Sequence, residues 1–270
     1  MSATIRTDFV PGSPQLAYQH AGNGETVVFM HGIGGNARNW LRQVEAFSGQ
    51  FRAVAWDARG YGDSDDYEGT LDFGDFRTDL LRLLDHLEVI QAHLCGLSMG
   101  GRIALDFYDH FPARVASLTI VDSFPGFDAS FSTEAREKFV RERRQPLVDG
   151  KEPADIAPGL ARMLVSPQAT EATVQELIDS ISMLHKVSYI KTVEAMTMYQ
   201  PVTDVSTIQV PVQLIVGADD KLTPPAVSEQ MAREIPNARL LIIERAGHLT
   251  NIEQPEAFND CLRSFLRDLQ

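Results

Sequence analysis

The stretch Gly96-Leu97-Ser98-Met99-Gly100-Gly101 decides how this chain folds. An apolar run at residues 92–95 precedes it and predicts a buried strand, and residues 102–108 follow it with a helical pattern. A serine between glycines at a strand-to-helix corner is the G-x-S-x-G pattern of a nucleophile elbow. There the serine takes a strained backbone conformation, and the chain passes too close on either side to leave room for a Cβ. The stretch therefore predicts that Ser98 presents its hydroxyl above the edge of a sheet.

Strands and amphipathic helices alternate on both sides of this stretch. Four continuous apolar runs are typical of strands buried on both faces; they lie at residues 26–30, 51–56, 115–121 and 212–217. Further strands are predicted at residues 5–10, 15–20 and 239–243. This alternation predicts an α/β fold, with a mostly parallel sheet of eight strands flanked by helices. Ligands of such sheets bind beyond the carboxyl ends of the strands.

After Phe124 the alternation stops, and residues 131–200 carry helical patterns only. Helices are predicted at residues 133–144, 156–164, 170–184 and 189–199, punctuated by prolines at Pro146, Pro153, Pro158 and Pro167. We interpret residues 125–200 as a helical cap, inserted after the sixth strand and placed over the strand ends. Residues 1–124 and 201–270 then form the core domain.

The overall composition limits the kinds of partner that we expect. The chain has 270 residues, 44% of them hydrophobic, and a formal net charge of −13, which argues against binding to nucleic acid or to an anionic membrane. Because no apolar run approaches the roughly 20 residues that span a bilayer, and the amino terminus lacks the apolar core of a signal peptide, we expect a cytoplasmic protein. Cysteine and histidine spacing predicts no metal site, and no cofactor is expected. The expected partner is a small-molecule substrate, and the sequence leaves homo-oligomer formation open.

A serine nucleophile needs a base, usually a histidine that a carboxylate holds in the right tautomer. Around an elbow of this kind the chain order is serine, acid, histidine. The segment Gly-Ala-Asp-Asp-Lys-Leu-Thr-Pro at residues 217–224 follows one predicted strand, and His248 follows the last one. The residues therefore predict His248 as the base, and the acid is one of three aspartates that follow strands: Asp122, Asp219 or Asp220.

Five motifs in this order resemble those of α/β-hydrolase fold enzymes over nearly the whole chain. They are His31-Gly32, the segment at residues 57–64, the elbow at Ser98, the acid segment at residues 217–224 and the tail at residues 247–255. The resemblance implies that the acid is Asp220, three residues after the glycine, with Asp122 as the rival because some family members carry the acid there.

The same resemblance implies an oxyanion hole made by the backbone N–H groups of Ile33 and Met99. His31 would then brace the turn that carries Ile33 and would not act as a base. Asp57 and Arg59 would hold their own loop.

The cap would select the substrate. Phe124 and His185 are candidate pocket residues, and several cap methionines either line an apolar pocket or pack the cap: Met163, Met183, Met196 and Met198. The first cap helix also carries basic residues, namely Arg136, Lys138, Arg141, Arg143 and Arg144. One of them could bind a substrate carboxylate, but interleaved glutamates favour exposed ion pairs along the helix.

These residues predict hydrolysis of an ester or lactone through an acyl-enzyme on Ser98. The stretches at residues 96–101 and 247–255 resemble those of 3-oxoadipate enol-lactonases, and the chain also resembles small bacterial carboxylesterases. One alternative is hydrolysis of a carbon–carbon bond in a ring-cleavage diketone. Relatives of that class often have a longer oxyanion loop with proline, which residues 31–35 lack. The other alternative is a catalytically silent receptor, which the presence of a complete triad disfavours.

Overall fold

The computed structural model describes residues 4–126, 132–198 and 203–270. Its strands are β1 (Arg6–Val10), β2 (Leu16–Ala21), β3 (Thr26–Met30), β4 (Arg52–Trp56), β5 (Ala92–Leu97), β6 (Val115–Val121), β7 (Val212–Gly217) and β8 (Arg239–Ile243). Its α-helices are α1 (Leu41–Phe47), α2 (Gly74–His86), α3 (Met99–His110), α4 (Thr133–Val148), α5 (Pro153–Leu164), α6 (Glu171–Ser182), α7 (Lys186–Met198), α8 (Pro225–Glu234), α9 (Thr250–Glu253) and α10 (Pro255–Arg267).

The strands form one sheet of eight in the order β1-β2-β4-β3-β5-β6-β7-β8. β1 pairs antiparallel with β2, and β2 pairs antiparallel with β4, whereas the pairings from β4 through to β8 are parallel. The predicted sheet of eight mostly parallel strands is thereby confirmed. Because β5, β6 and β7 are neighbours and run the same way, their carboxyl ends lie side by side at one edge of the sheet.

Each face of the sheet carries its own apolar core. Alternate residues of a strand point to opposite faces, and in β3 Val28 and Met30 belong to one core while Val27 and Phe29 belong to the other. Helices α2, α3 and α8 contribute side chains to the first core, and α1 and α10 contribute to the second. Helices on both faces explain why β3, β5 and β7 are buried along their whole length.

Four helices, α4 to α7, lie between β6 and β7 in the chain, where helical patterns alone were predicted. They pack in pairs, α5 against α6 and α4 against α7. The division into a core of residues 1–124 and 201–270 and a cap of residues 125–200 stays a prediction, and part of it falls on residues 127–131 and 199–202, which lie outside the described ranges.

Two of the prolines that were predicted to punctuate the cap helices lie inside them. Pro146 is in the last turns of α4, and Pro158 is in the middle of α5. A proline removes the hydrogen bond to the carbonyl four residues earlier. Those carbonyls belong to Glu142 and Ala154, which are both exposed, so that water can satisfy them. α4 therefore continues past Pro146, beyond its predicted end at residue 144, whereas α5 contains Pro158 as the predicted helix at residues 156–164 does, but begins earlier, at Pro153.

No helix in the described parts of the chain is long and apolar enough to cross a membrane. Among the same residues, no group of three histidine, cysteine or acidic side chains is arranged to hold a metal ion.

Candidate active site

Ser98 stands at the corner between β5 and α3 in a backbone conformation that side chains rarely adopt, with φ 53° and ψ −112°. A Cβ on Gly96 would lie 2.2 Å from the carbonyl oxygen of Gly100, and a Cβ on Gly100 would lie 2.3 Å from that of Met30. The glycines are therefore needed for close backbone approach on both sides of the serine. The backbone N–H of Ser98 donates to the Val121 carbonyl at 2.8 Å, which fixes the corner against β6.

His248 and Asp220 meet beside this corner. Asp220 follows β7, His248 follows β8, and the His248 Nδ1 lies 2.8 Å from Asp220 Oδ2. Both residues are 4% exposed. The other carboxylate oxygen of Asp220 accepts from the backbone N–H groups of Leu222 and Thr223, at 2.8 and 3.0 Å. Because the carboxylate requires a donor, Nδ1 carries the proton and Nε2 is left unprotonated.

Ser98 and His248 line the same cavity, which encloses about 330 Å³. Within the described residues, Ser98 Oγ and His248 Nε2 do not form a hydrogen bond with each other. Catalytic hydrogen bonds of ligand-free sites are often long and tighten when substrate binds. Ser98 and His248 therefore line one cavity, and Asp220 contacts the imidazole of His248 through Nδ1.

Asp122, the rival acid, is engaged elsewhere. It follows β6 with φ 44° and is fully buried. Its Oδ1 accepts from the Gly217 N–H at 2.9 Å, and its Oδ2 accepts from the Thr250 N–H at 3.2 Å and the Thr250 hydroxyl at 2.7 Å. These bonds tie the end of β7 to the start of α9, so that Asp122 holds together the two segments that carry Asp220 and His248.

The pKa values of this cluster follow from burial and from mutual charges. Burial opposes ionisation of Asp220, but hydrogen bonds and the charge of His248 outweigh it, and the pKa of the carboxyl falls below its usual value. Burial acts to lower the pKa of His248, yet the Asp220 hydrogen bond and charge, helped by Asp122, raise it overall. For Asp122, burial and then the charge of Asp220 raise the pKa to about 7. An ionised Asp220 therefore stabilises the positive charge that the imidazole carries once Nε2 has also taken up a proton.

The two predicted oxyanion donors are the backbone N–H groups of Met99, which follows Ser98 in the chain, and of Ile33, in the loop after β3. Met99 is the first residue of α3, so its N–H has no intrahelical acceptor. Neither this N–H nor that of Ile33 has a hydrogen-bond acceptor within the described residues. Ile33 itself lines the cavity, next to Gly32 and Ser98. Both N–H groups therefore lack an acceptor, as the prediction of an oxyanion hole requires.

His31 braces the loop that carries Ile33. Its Nδ1 lies 2.8 Å from the Gly32 carbonyl oxygen, and its Nε2 lies 3.1 Å from the backbone nitrogen of Ala58. Because the Ala58 N–H must donate, Nε2 is the acceptor and Nδ1–H donates to Gly32. Burial lowers the pKa of His31 to about 4, so the ring is neutral at physiological pH.

The loop after β4 is held in the same way. Asp57 accepts from the backbone N–H groups of Ala37 and Asp63, at 2.7 and 3.0 Å, and Arg59 donates twice to Asp79, at 2.6 and 2.9 Å. These contacts join the loop to its neighbours and do not reach the cavity. They agree with the structural role that the sequence indicates.

The two predicted pocket residues lie in different places. Phe124 lines the cavity, and the guanidinium carbon of Arg102 lies 5.2 Å from the centre of its ring. His185 is absent from the described lining. Its Nδ1 lies 3.0 Å from Asp66 and its Nε2 lies 3.2 Å from the Gly62 carbonyl oxygen. The turn between α6 and α7 therefore places this ring against the loop after β4, and His185 does not line the cavity.

Sequence reasoning assigned no role to Thr223 or Thr250, although both belong to the motifs that it used. The Thr223 hydroxyl donates to Asp220 Oδ2 at 2.7 Å and lies 3.3 Å from His248 Nδ1. Thr250 binds Asp122 through both its N–H and its hydroxyl. The only signal in the sequence is their spacing, three residues after Asp220 and two after His248.

Comparisons with known proteins agree with this architecture. A family model described as the alpha/beta hydrolase fold matches residues 25–255. The 3-oxoadipate enol-lactonase 2 of Acinetobacter baylyi is 28% identical over 242 residues, which cover 89% of this chain and 88% of that protein. A 2-hydroxy-6-oxononadienedioate/2-hydroxy-6-oxononatrienedioate hydrolase of Paraburkholderia phymatum is 30% identical over 270 residues, 93% of this chain and 91% of that one.

A solved structure covers nearly the whole chain. It is an esterase from Thermogutta terrifontis with malate bound, 27% identical, with a TM-score of 0.89 over 98% of this chain and 99% of that chain. The family model spans well over half of the sequence, and its match includes the segments that carry Ser98, Asp220 and His248. This protein therefore belongs to the α/β-hydrolase fold family and is a hydrolase.

Proposed function

We propose that this protein hydrolyses a carboxylic ester or lactone of a small substrate, with Ser98 as nucleophile, His248 as base and Asp220 as acid. The observation that carries the proposal is the 2.8 Å contact between His248 Nδ1 and Asp220 Oδ2, behind a histidine that lines the same cavity as the elbow serine. That contact leaves Nε2 as the nitrogen free to accept a proton from the cavity side.

In the proposed first step, His248 Nε2 takes the proton of the Ser98 hydroxyl while the oxygen attacks the carbonyl carbon of the substrate. The positive charge on the imidazole is offset by Asp220, consistent with the raised pKa of His248 and the lowered pKa of Asp220. The C=O bond becomes a C–O⁻ bond in the tetrahedral intermediate. The N–H groups of Ile33 and Met99 would donate to that oxygen, and loss of one such donor typically costs about 100- to 1,000-fold in rate.

The intermediate then collapses and the bond between the carbonyl carbon and the leaving oxygen breaks. The imidazolium returns its proton to that oxygen, which departs as an alcohol from an ester or stays attached to the acyl chain of an opened lactone. Water attacks the acyl-enzyme in the second half, with His248 again taking the proton. Hydrolysis releases the carboxylic acid and restores Ser98.

A second candidate reaction is hydrolysis of a carbon–carbon bond in a ring-cleavage diketone. It is favoured by the 30% identity to the 2-hydroxy-6-oxononadienedioate/2-hydroxy-6-oxononatrienedioate hydrolase of Paraburkholderia phymatum. The short loop His31-Gly32-Ile33-Gly34-Gly35, with no proline, is the feature that favours the ester or lactone instead. The enol-lactonase and esterase relatives point the same way.

The test is a panel of short p-nitrophenyl esters, small lactones and ring-cleavage diketones, assayed with the wild type, Ser98→Ala and Ser264→Ala. Ser264 is exposed on α10 and serves as the matched control. We expect turnover of esters or lactones, lost about 10⁴-fold or more in Ser98→Ala and unchanged in Ser264→Ala. Turnover of the diketones alone would favour the second candidate, and full activity of Ser98→Ala would refute the covalent mechanism.

A further inference from the structure

The charge of the cavity wall is opposite to that of the protein. The chain has 37 acidic residues against 24 lysines and arginines. Among the described residues that line the cavity, however, there are two cationic side chains, Arg143 and Lys221, and no aspartate or glutamate. Each of these cations follows an acidic residue in the chain, but Asp220 is turned towards His248, and Glu142 is exposed and pairs with Lys138 at 3.7 Å. A substrate with a negative charge would therefore meet attraction inside a protein that repels it elsewhere.

Arg143 is the less exposed of these two cations. It lies on α4, and its guanidinium carbon is 3.5 Å from the centre of the Phe139 ring, one helical turn earlier. The side chain makes a long contact of 3.5 Å to the Phe139 carbonyl oxygen. Burial is the main influence on this group, and it lowers the pKa of Arg143. An arginine nevertheless stays charged in a protein, so the wall of the cavity carries a partly desolvated cation.

No carboxylate of the described residues lies within ion-pair distance of this guanidinium, whereas the neighbouring Arg144 pairs with Glu194 at 2.8 Å. Partial burial of a cation costs free energy unless an anion pairs with it. A planar carboxylate can accept two parallel hydrogen bonds from the guanidinium fork, and it would offset that cost when it binds. The stack on Phe139 holds the fork in place before the ligand arrives.

We propose that Arg143 binds a carboxylate of the substrate, so that the preferred substrate is an ester or lactone bearing a free carboxylate. This inference rests on the proposed function, because it places the carboxylate and the scissile carbonyl in the cavity that Arg143, Ser98 and His248 line. The charge of Arg143 reaches His248, where it acts to lower the pKa of the imidazole. Apolar side chains line the cavity as well, among them Leu160, Leu177 and Ile181. A short hydrocarbon segment between the carboxylate and the scissile carbonyl of the substrate would suit this lining and the volume of about 330 Å³.

The experiment compares two probes that differ only in charge: mono-p-nitrophenyl adipate, which has a free carboxylate, and its methyl ester, which is neutral. Each is assayed with the wild type, Arg143→Met, Arg143→Lys and Arg141→Met. Arg141 is on the same helix but is exposed, so it controls for loss of one positive charge from α4. Hydrolysis of the methyl ester reports that each variant is folded and that the triad works.

We expect the wild type to have a higher kcat/KM for the hemiester than for the methyl ester. Arg143→Met should lose about 10- to 150-fold on the hemiester, the usual worth of hydrogen bonds to a charged group, and less than about threefold on the methyl ester. Arg143→Lys should lose less kcat/KM on the hemiester than Arg143→Met, because lysine keeps the positive charge but cannot donate two parallel hydrogen bonds. Arg141→Met should change neither rate.

Two results would overturn the inference, and they are separable from failure of the proposed function. If the methyl ester is hydrolysed in a Ser98-dependent way but Arg143→Met affects both probes equally, or neither, the carboxylate site is refuted alone. If the wild type hydrolyses neither probe, nor any other ester or lactone of the panel, the proposed function is refuted and the carboxylate site with it.

Discussion

Replacement of Asp220 by asparagine should cost far more activity than the same replacement of Asp122. In the wild type, Asp220 Oδ1 accepts from two backbone N–H groups, those of Leu222 and Thr223, and Oδ2 faces His248. The single oxygen of an asparagine would stay with the two backbone donors, so that its amino group would face His248. Nδ1 would then have to accept, and the ring proton would move to Nε2, where it blocks deprotonation of Ser98.

The expected magnitudes differ by about two orders or more. Loss of the correct tautomer costs about 10⁴-fold in kcat in the serine-protease template. In Asp122→Asn, the oxygen can keep both donors of Thr250 while the amino group opposes the Gly217 N–H, so that one buried hydrogen bond is lost. That costs about 1–3 kcal/mol of folding stability. The loss of kcat should stay below about 100-fold, because the contact of Asp220 with His248 survives.

The pH dependence gives a second readout. Asp122 raises the pKa of His248 through its charge. Asp122→Asn should therefore move the acid limb of kcat/KM, which reports the base of the free enzyme, to lower pH. An unmoved acid limb would contradict this influence of Asp122 on His248.

The assay is kcat and kcat/KM on a p-nitrophenyl ester from pH 6 to 9, with thermal unfolding of each variant, and with Asp219→Asn as the control. Asp219 is adjacent to Asp220 and loses the same charge, but none of the active-site side-chain hydrogen bonds of the described residues involves it. We expect it to stay within about twofold of the wild type. If Asp122→Asn loses as much activity as Asp220→Asn, or if Asp220→Asn stays within tenfold of the wild type, the assignment of the acid is wrong.

Two further predictions concern stability. The pKa of His31 falls from 6.5 to about 4 on folding, so the unfolded chain binds more protons than the folded one between these pH values. The free energy of unfolding of the wild type should therefore fall by about 3 kcal/mol as the pH drops through this window. His31→Gln should lose less stability on acidification, and parallel curves of stability against pH for the two proteins would contradict this. A Cβ on Gly217 would lie 2.1 Å from the carbonyl oxygen of Gly247, whereas one on Gly159, exposed in α5, would meet nothing within 4 Å. In urea unfolding, Gly217→Ala should therefore destabilise the protein by about 1–3 kcal/mol, whereas Gly159→Ala should stabilise it by about 0.5–1 kcal/mol. A Gly217→Ala variant more stable than Gly159→Ala would show that the close approach at Gly217 does not exclude a Cβ.

The sheet could be predicted well because each buried strand is a continuous apolar run. The bounds of β3, β6 and β7 agree with the predicted segments, since burial on both faces leaves no alternation to misread. The edge strand β8 also agrees with its predicted bounds, although it is only partly buried. The helix bounds of the cap were less accurate. α4 runs on to Val148, past its predicted end at residue 144, and α5 begins at Pro153 and not at residue 156.

The acid could not be derived from local sequence alone. Asp122 and Asp220 each follow a parallel strand, and β6 and β7 are neighbours in the sheet, so both carboxylates reach the same region. The decision depends on which one His248 contacts, and that depends on the loop after β8. The resemblance, and not the spacing, favoured Asp220.

The pocket residues of the predicted cap could not be derived from local sequence either. The five basic residues on α4 have similar neighbours in the sequence. The face that α4 turns towards the cavity decides that Arg143 lines it, whereas Arg144 pairs with Glu194. His185 was predicted for the pocket on its position in the cap, but its turn faces Asp66. Orientation of a helix or turn against the core arises from packing over many residues, which a local pattern does not encode.

The most direct test of the central claim is to trap the acyl-enzyme. The protein is treated with a fluorophosphonate, or quenched in acid during turnover of a p-nitrophenyl ester, and the adduct is located by mass spectrometry of its peptides. The account predicts a single adduct on Ser98, absent from Ser98→Ala and strongly reduced in Asp220→Asn. Continued ester hydrolysis with no adduct, or with an adduct on another residue, would contradict it.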